Sequence, residues 1–243
     1  MKVIKNSYLI KESKIPILVC FPFAGGGASV YRNWVKYFNE RVIVCPVQMP
    51  GREERIMDKC YIDMNDLIEE LFEAMKPFMK YNIFLFGHSL GAKIAFELEK
   101  KLECNNFKSN HLIVSASRAP CIDEPDKIYD LEDNEFIKRL SEFGGTPKEI
   151  LENKQLIKFF LPMLRADFIL DERYYLQDDI KVDCPITAFG GYKDETVKFE
   201  YIEEWKKCTN KEFKLKKFRG GHFFIKEAEK SVLKEVERII FNY

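Results

Sequence analysis

The sequence has no excess of charge of either sign. Its 243 residues include 39 Lys and Arg and 39 Asp and Glu, so the formal net charge is zero. A protein without net charge generates no overall field that would draw it to nucleic acid or to an anionic membrane surface. We therefore expect neither nucleic acid nor a membrane as a partner, and any charged partner has to meet a local patch.

Metal-type and disulfide-type cysteine patterns are also missing. The seven cysteines are an odd number and form no Cys-x-x-Cys pair. The apolar stretch from Ile15 to Ala24 resembles a signal peptide, but Pro16 and Pro22 interrupt it and no signal-peptidase site follows. No apolar run is long enough to span a bilayer. These absences predict a cytoplasmic protein with reduced thiols and no bound metal.

What the sequence does contain is an alternation of short apolar runs with longer stretches of helical period. This alternation is typical of a mostly parallel sheet flanked by helices and predicts one α/β domain over residues 1–243. Met64 to Met79 has an apolar face behind a possible helix cap at Asp63, and Val232 to Ile240 repeats that spacing. The predicted strands are Ile15–Phe21, Val42–Cys45, Ile83–Phe86, Leu112–Ser115, Ile186–Phe189 and Phe213–Phe218.

One segment departs from this alternation. Residues 121–184, from Cys121 to Cys184, contain no convincing strand but many apolar residues at helical spacing. Pro162 is expected to kink the longest helix of the segment, and Gly144 to Pro147 to separate two others. The sequence therefore predicts an inserted helical subdomain over residues 121–184.

The segment Gly87-His88-Ser89-Leu90-Gly91 matches the Gly-x-Ser-x-Gly motif, in which a sharp turn lifts a serine out of the edge of a sheet. The pentapeptide alone is weak evidence. Tyr81 to Phe86 before it is typical of a strand, however, and Ala92 to Leu98 after it is typical of a helix. This context indicates the nucleophile elbow of the α/β-hydrolase fold and predicts Ser89 as a nucleophile for acyl transfer.

A serine nucleophile needs a base that removes its proton, and the sequence has only three histidines. His88 adjoins the serine, and its ring is not expected to face the hydroxyl. His111 stands at the start of a strand, which favours a structural role. His222 lies after the last strand and before the last helix, where the chain order Ser, Asp, His of this fold places the base. We therefore predict His222 as the general base.

The third member of the predicted triad is a carboxylate that fixes the tautomer of the imidazole. Asp194 fits best, because it ends a strand that runs into a turn. Glu195, one residue further, is expected to point away. Asp123, which follows the preceding strand, remains the alternative.

Acyl transfer also requires two backbone N–H groups that bind the oxyanion. Leu90, the residue after the serine, provides the first. We assign the second to Ala24, because the glycines of Phe21 to Gly27 permit a close approach of the backbone after the first strong strand. Neither a phosphate-binding loop nor a dinucleotide fingerprint aligns to this segment.

Seven segments carry a resemblance to a known family, and most of them have features beyond those of a generic hydrolase: Phe21–Gly26, Gln48–Arg55, Gly87–Ala92, Gly144–Pro147, Leu164–Phe168, Gly191–Asp194 and Gly220–Phe224. Together they resemble the type II thioesterases, free-standing editing enzymes of nonribosomal peptide and polyketide synthases. The resemblance covers nearly the whole chain. Leu90 stands where methionine is common and Gly27 extends a glycine pair, but neither departure removes a donor.

The resemblance implies hydrolysis of acyl groups from the phosphopantetheine thiol of acyl or peptidyl carrier proteins, which frees stalled or misprimed synthase modules. Ser89, Asp194 and His222 would form the triad. Ala24 and Leu90 would shape the oxyanion hole, and the helical insert would be a lid. The expected protein is a monomer without a cofactor of its own, because the pantetheine belongs to the partner.

Two other functions fit the same residues. A small-molecule carboxylesterase or lipase would use an identical triad, and a hydrolase-like binding protein would have the fold without the chemistry. Arg52 and Arg55 resemble a site for a substrate anion. Because Glu53 and Glu54 flank this turn, a structural ion pair is the favoured interpretation.

Overall fold

Within residues 3–7, 14–177 and 180–242, which the computed structural model describes, six parallel strands form one central sheet. The strand order is β2-β1-β3-β4-β5-β6, and every neighbouring pair is parallel. The parts of the predicted domain 1–243 and insert 121–184 that fall on residues 1–2, 8–13, 178–179 and 243 lie outside the described residues. The strands are β1 Ile17–Phe21, β2 Ile43–Pro46, β3 Ile83–His88, β4 His111–Ser115, β5 Ile186–Gly191 and β6 Phe213–Phe218.

The sheet confirms the predicted α/β class, and the predicted strands differ from the observed ones by at most two residues at either end. Strand β3 continues to His88, and β5 continues to Gly191. Both strands therefore run directly into the motifs that the sequence analysis singled out. In a parallel sheet of this kind, ligands bind beyond the carboxyl ends of the strands, where the strand order reverses. Here that reversal lies between β1 and β3.

Strands β1 to β5 are buried on both sides, because helices cover both faces of the sheet. Alternate residues of β1 pack against the helices on the two faces of the sheet. Val19 belongs to the core beneath α2 (Met64–Met75) and α3 (Leu90–Cys104), whereas Leu18 belongs to the core beneath α1 (Arg32–Phe38) and α9 (Glu229–Phe241). The predicted helices behind Asp63 and near the C-terminus are thus confirmed. None of the helices in the described ranges has the length and apolar character that crossing a membrane requires.

The segment between β4 and β5 forms three helices, α4 Asp133–Phe143, α5 Lys148–Leu151 and α6 Lys154–Glu172. Gly144 to Pro147 separate α4 from α5, and α6 runs through Pro162 as one continuous helix. These helices share a small core of their own, which includes Phe136 and Leu161. The boundaries and the lid function of the predicted insert stay predictions.

The two edges of the sheet differ in how they are covered. At one edge, β6 carries Lys214, Lys216 and Lys217 and is only partly buried. Beside the other edge, the chain near Ile4 forms an antiparallel bridge with the residue that follows β2, and Asn6 Nδ2 donates to the Val44 carbonyl over 3.0 Å. The remaining short helices, α7 Phe199–Glu203 and α8 Phe224–Glu227, follow β5 and β6 respectively.

Removing the cap of α2 tests the local folding of that helix. The Asp63 carboxylate accepts hydrogen bonds from the Asn65 and Asp66 amides, which have no partner within the helix. We expect Asp63→Ala to lower the free energy of unfolding by about 1 kcal/mol. Urea denaturation measures the change, with Asn65→Ala at an exposed position of the same turn as the control. An equal loss in both variants would contradict a specific capping role.

Candidate active site

Ser89 occupies a strained turn between β3 and α3. Its φ is 55° and its ψ −121°, a conformation that non-glycine residues seldom adopt. The Ser89 amide donates to the Ser115 carbonyl at the end of β4 over 2.7 Å, which anchors the turn. A Cβ at Gly91 would come within 2.2 Å of the Phe21 carbonyl oxygen, so only glycine lets the start of α3 pack against the end of β1.

His222 and Asp194 meet because β5 and β6 keep their parallel alignment beyond the strand ends. The Tyr192 amide donates to the Phe218 carbonyl over 2.8 Å, and the Lys193 amide donates to the Gly220 carbonyl over 2.9 Å. The following residues therefore lie side by side, with His222 Nδ1 2.9 Å from Asp194 Oδ2. The Asp194 side chain is fully buried and that of His222 is 13% exposed, so this contact is largely shielded from water.

Three further donors fix the Asp194 carboxylate. Its Oδ1 accepts from the Thr196 amide at 2.9 Å, the Thr196 hydroxyl at 2.6 Å and the Val197 amide at 3.0 Å. Burial would raise the pKa of Asp194, but the hydrogen bonds with His222, Thr196 and Val197 outweigh burial and hold this pKa below its usual range. Asp194 is therefore an anion that can hold the His222 proton on Nδ1.

A proton on His222 Nδ1 leaves Nε2 as the free base. Thr196 Oγ1 also lies 2.8 Å from Nδ1, and because its own proton points to Asp194, it can accept from the imidazole. Asp194 and Thr196 thus both favour the same tautomer. That tautomer is the one that general-base catalysis by His222 requires.

Ser89 and His222 line one cavity of about 420 Å³, which lies beyond the carboxyl ends of the strands. Ala24 lines the same cavity, and Leu90 begins α3 directly after the serine. Among the described residues, neither the Ala24 nor the Leu90 amide donates a hydrogen bond within the protein. No hydrogen bond within that part of the chain joins Ser89 to His222 either, and such catalytic contacts commonly tighten only when substrate is bound.

The other two histidines have structural positions. His88 is completely buried, its Nδ1 lies 2.9 Å from Ser115 Oγ, and burial lowers its pKa well below the ordinary value. His111 Nε2 lies 2.8 Å from Thr187 Oγ1 on the neighbouring strand, and burial lowers its pKa to about 4. Both imidazoles are therefore neutral near pH 7.

The alternative acids lie outside the His222 contact. Asp123 is exposed and pairs with Lys127 at 2.9 Å, within its own loop. Glu195 is exposed beside the cavity. Asp194 alone among these three carboxylates is hydrogen-bonded to His222 in the described part of the chain.

Charged residues form part of the cavity wall. Lys93 Nζ, on the buried side of α3, donates to Asp171 Oδ1 over 2.6 Å and to the Asp171 carbonyl over 2.8 Å. Arg118 contacts the same carboxylate at 3.4 Å and Glu124 at 2.6 Å. Burial lowers the pKa of Lys93 to about 8, although Asp171 opposes this shift. The wall is therefore a compensated ionic network rather than a purely apolar surface.

Arg52 and Arg55 both form structural ion pairs, as the sequence analysis favoured, but their partners are not the adjacent glutamates. Arg52 pairs with Asp167 of α6, and Arg55 pairs with Glu70 of α2 at 2.8 Å and with Asp58 at 2.7 Å. Arg52 is only 4% exposed, so it is not available to a substrate anion.

Sequence reasoning missed three parts of this site. Thr196 stands two residues after Asp194, the spacing of a turn in which an aspartate binds nearby backbone amides, and this signal is visible in the sequence. Lys93 interrupts an apolar helical run, which also indicates a special environment. The contact between Arg52 and Asp167 joins residues 115 positions apart and has no comparable local signal.

One cluster of potential metal ligands lies elsewhere among the described residues. Atoms of Glu99, Glu103 and Cys184 lie within 4.8 Å of one another. Glu99 accepts from the Ser109 amide over 3.0 Å, and Glu103 accepts from the Asp183 amide. Both carboxylates thus already bind backbone groups near the amino ends of the strands, whereas Ser89 lies at the carboxyl ends.

Comparison with known proteins places the fold and the site in context. A family model described as a thioesterase domain matches residues 16–240. The gramicidin S biosynthesis protein GrsT of Aneurinibacillus migulanus is 36% identical over 214 residues, which are 87% of this chain and 84% of that protein. The structure of the type II thioesterase BorB from the borrelidin biosynthetic cluster has a TM-score of 0.88 and 30% identity, covering 99% of this chain and 98% of its own.

One similar protein has a name that indicates another chemistry. Linear gramicidin dehydrogenase LgrE of Brevibacillus parabrevis is 38% identical over 232 residues, 93% of this chain and 88% of that protein. A dehydrogenase needs a nicotinamide site, whereas here the glycine-rich loop after β1 has no dinucleotide fingerprint. The family model and the similar structure of BorB both indicate a thioesterase, and this agreement outweighs a single name.

Replacing the two alternative acids tests the site. We expect Asp194→Asn to lower kcat by about 10⁴-fold, because the amide no longer holds the proton on His222 Nδ1. Asp123→Asn removes a carboxylate that pairs only with Lys127, and we expect its kcat to stay near that of the parent. Steady-state hydrolysis of one acyl thioester by both variants measures the difference. A severe defect in Asp123→Asn alone would assign the acid to the loop after β4.

Proposed function

This chain belongs to the thioesterase family, and from that membership we propose that it hydrolyses acyl groups from the phosphopantetheine thiol of carrier proteins. Similar proteins include GrsT and the BorB thioesterase, whose names place them in biosynthetic pathways. A free-standing thioesterase in such a pathway removes acyl units that block a carrier, and the carrier then returns to use.

In the proposed reaction, His222 Nε2 takes the proton of Ser89 Oγ while the oxygen attacks the thioester carbonyl. Collapse of the tetrahedral intermediate breaks the carbon–sulfur bond, and His222 returns the proton to the departing thiol. A water molecule then attacks the acyl-serine with His222 again as base, which releases the carboxylic acid and restores Ser89. These steps use side chains of this protein and water, and the pantetheine arrives on the partner.

Charge develops on the carbonyl oxygen in both tetrahedral intermediates. We assign its stabilisation to the Ala24 and Leu90 amides, whose N–H groups have no other acceptor in the described part of the protein. The amino end of α3 adds its positive dipole end at the same place. Donors fixed in advance need no reorganisation as the charge forms, which is the main advantage of such a site.

The observation that carries this proposal is that Ser89 and His222 line one cavity, with His222 bound to a buried Asp194 carboxylate. Neither of the other two histidines is placed to act as the general base, because both are buried, with His88 bound to Ser115 and His111 bound to Thr187. The aromatic and charged wall of the cavity encloses a space large enough for a pantetheine arm or an acyl group.

Matched substrates test the function. The experiment compares kcat/KM for a butyryl carrier-protein thioester, the butyryl thioester of N-acetylcysteamine and ethyl butyrate. We expect the carrier thioester to be hydrolysed best, and Ser89→Ala to lower kcat by about 10⁶-fold while the melting temperature stays unchanged. Near-normal turnover by Ser89→Ala would remove this serine from the mechanism.

The alternatives give different results in the same experiment. Preferential hydrolysis of ethyl butyrate would identify a small-molecule esterase. No hydrolysis of any substrate, together with no labelling of Ser89 by a fluorophosphonate, would identify a binding protein. Both outcomes contradict the proposed activity.

We further propose that helices α5 and α6 belong to a lid that receives the carrier. Lys148, Lys154 and Lys158 are exposed there, and none of them has an ion-pair partner among the described residues. Leu156 and Phe159, at 41% and 56% exposure, lie on the same part of α6. Lysines around exposed apolar side chains suit an acidic helix of a carrier protein.

Charge reversal tests this docking surface. We expect replacement of Lys148, Lys154 and Lys158 by Glu to lower kcat/KM for the carrier thioester about tenfold or more, while hydrolysis of the N-acetylcysteamine thioester is unchanged. Reversal of Lys36, Lys230 and Lys234, exposed lysines of α1 and α9 without an ion-pair partner among the described residues, is the matched control. Equal losses on both substrates would indicate a damaged fold, and no loss on either would place docking elsewhere.

A further inference from the structure

The loop that carries the Ala24 amide is held by a buried carboxylate from a distant helix. Asp167 of α6 accepts the Gly25 amide on Oδ2 at 2.7 Å. The Gly25 nitrogen belongs to the peptide unit directly after Ala24, so this hydrogen bond sets the orientation of the backbone next to the Ala24 N–H. The side chain of Asp167 is only 2% exposed, which shields the contact from competition with water.

Arg52 fixes that carboxylate in turn. Its Nη1 donates to Asp167 Oδ2 at 2.6 Å and its Nη2 donates to Asp167 Oδ1 at 2.7 Å, a bidentate pairing that leaves the carboxylate one orientation. Nη1 also donates to the Gly26 carbonyl at 3.2 Å, and Nε donates to the Pro50 carbonyl at 3.0 Å. The peptide units around Gly25 are therefore held on one side by Asp167 and on the other by Arg52.

Helix α6 supports the same loop through packing. Gly25 has a φ of +79°, and a Cβ at this position would lie 2.9 Å from Leu164 Cδ2, one turn before Asp167. Phe168, Asp171 and Glu172, further along α6, line the cavity that contains Ser89. One helix thus forms a wall of the cavity and also holds the loop that is proposed to bind the oxyanion.

The geometry points to Arg52 and Asp167 as positioning residues for the reaction. Together they hold the Ala24 amide in place, and because Asp167 belongs to α6, the direction of this amide depends on the position of that helix. This inference rests on the proposed function, since it assigns the Ala24 amide to the oxyanion. Neither side chain touches the reacting atoms. Their effect on the rate comes from the precision with which the donor is placed, because a misplaced group loses most of its contribution.

Two variants separate this role from a purely structural one. Asp167→Asn keeps the size of the side chain. The described hydrogen-bond partners of the carboxylate, the Gly25 amide and two Arg52 nitrogens, are all donors, so an amide nitrogen at this position meets a donor and weakens the contacts that hold Gly25. The double variant Arg52→Met with Asp167→Leu replaces the pair by apolar side chains, a change that buried ion pairs often tolerate without loss of stability. It removes the acceptor of the Gly25 amide altogether.

The matched control is Arg55→Met with Glu70→Leu. Arg55 lies in the same loop and is bound to Glu70 by two hydrogen bonds of 2.8 and 3.0 Å, but among the described residues it forms no hydrogen bond or ion pair with the Ala24 loop. We expect kcat of this control to remain within about threefold of the parent. Melting temperatures of all variants confirm that each protein is folded at the assay temperature.

The readouts distinguish placement of the oxyanion donor from general damage. We expect the Arg52 and Asp167 variants to lose about 100-fold in kcat on butyryl-N-acetylcysteamine with KM little changed. They should lose a similar factor in affinity for butylboronic acid, which forms an anionic tetrahedral adduct with the serine oxygen. Affinity for S-butyl-N-acetylcysteamine, a thioether without the carbonyl oxygen, should stay the same.

Two results would overturn the inference. Unchanged kcat and boronic acid affinity in a folded double variant would make the pair structural only, as would equal losses of boronic acid and thioether affinity. Failure of the proposed function has a different signature, because the parent protein itself would then prefer ethyl butyrate or hydrolyse none of the substrates. If the double variant does not fold, the same three measurements on Asp167→Asn still distinguish a positioning role from a structural one.

Discussion

The site depends on one steric constraint, the close approach of the start of α3 to the end of β1. Gly91 lies so near the Phe21 carbonyl that a single additional carbon would collide with it. This approach brings the serine turn after β3 and the glycine-rich loop after β1 together at the carboxyl ends of these neighbouring strands. The proposed nucleophile and a proposed oxyanion donor, from segments more than 60 residues apart, become neighbours in this way. The parallel extension of β5 and β6 then places the proposed acid and base at the same end of the sheet.

Much of the architecture was predictable because it follows from local patterns. The alternation of apolar runs with helical periods identified the sheet and the helices of both layers. The order of motifs along the chain predicted that Ser89, Asp194 and His222 belong to one site. Prediction failed where contact depends on the placement of one element against another. The pairing of Arg52 with Asp167 requires α6 to lie behind the loop after β1, and nothing near Arg52 in the sequence, where Glu53 and Glu54 are the obvious partners, indicates it.

The buried ionic groups around the cavity serve geometry more than stability. Removing both charges of a pair from water costs several kcal/mol per ion, on the order of what their attraction returns. Lys93 with Asp171 and Arg52 with Asp167 thus contribute little net free energy, but each fixes a side chain in one direction. All four residues lie on or beside the segments that enclose Ser89. An apolar core would fill the same space, yet it would not hold a backbone amide at a defined angle.

The two lateral edges of the sheet, at β6 and at β2, affect whether copies of the protein associate at high concentration. An open strand edge offers its unpaired backbone groups to any other extended chain, and this is a common route to aggregation. Here the outer strand β6 carries three lysines, which would face like charges if a second copy added its own β6 alongside. The opposite edge is met by the antiparallel bridge at Ile4 and by the amide of Asn6. Both lateral edges therefore oppose the addition of a further strand, which lowers the tendency of two copies to associate through their sheets at high concentration.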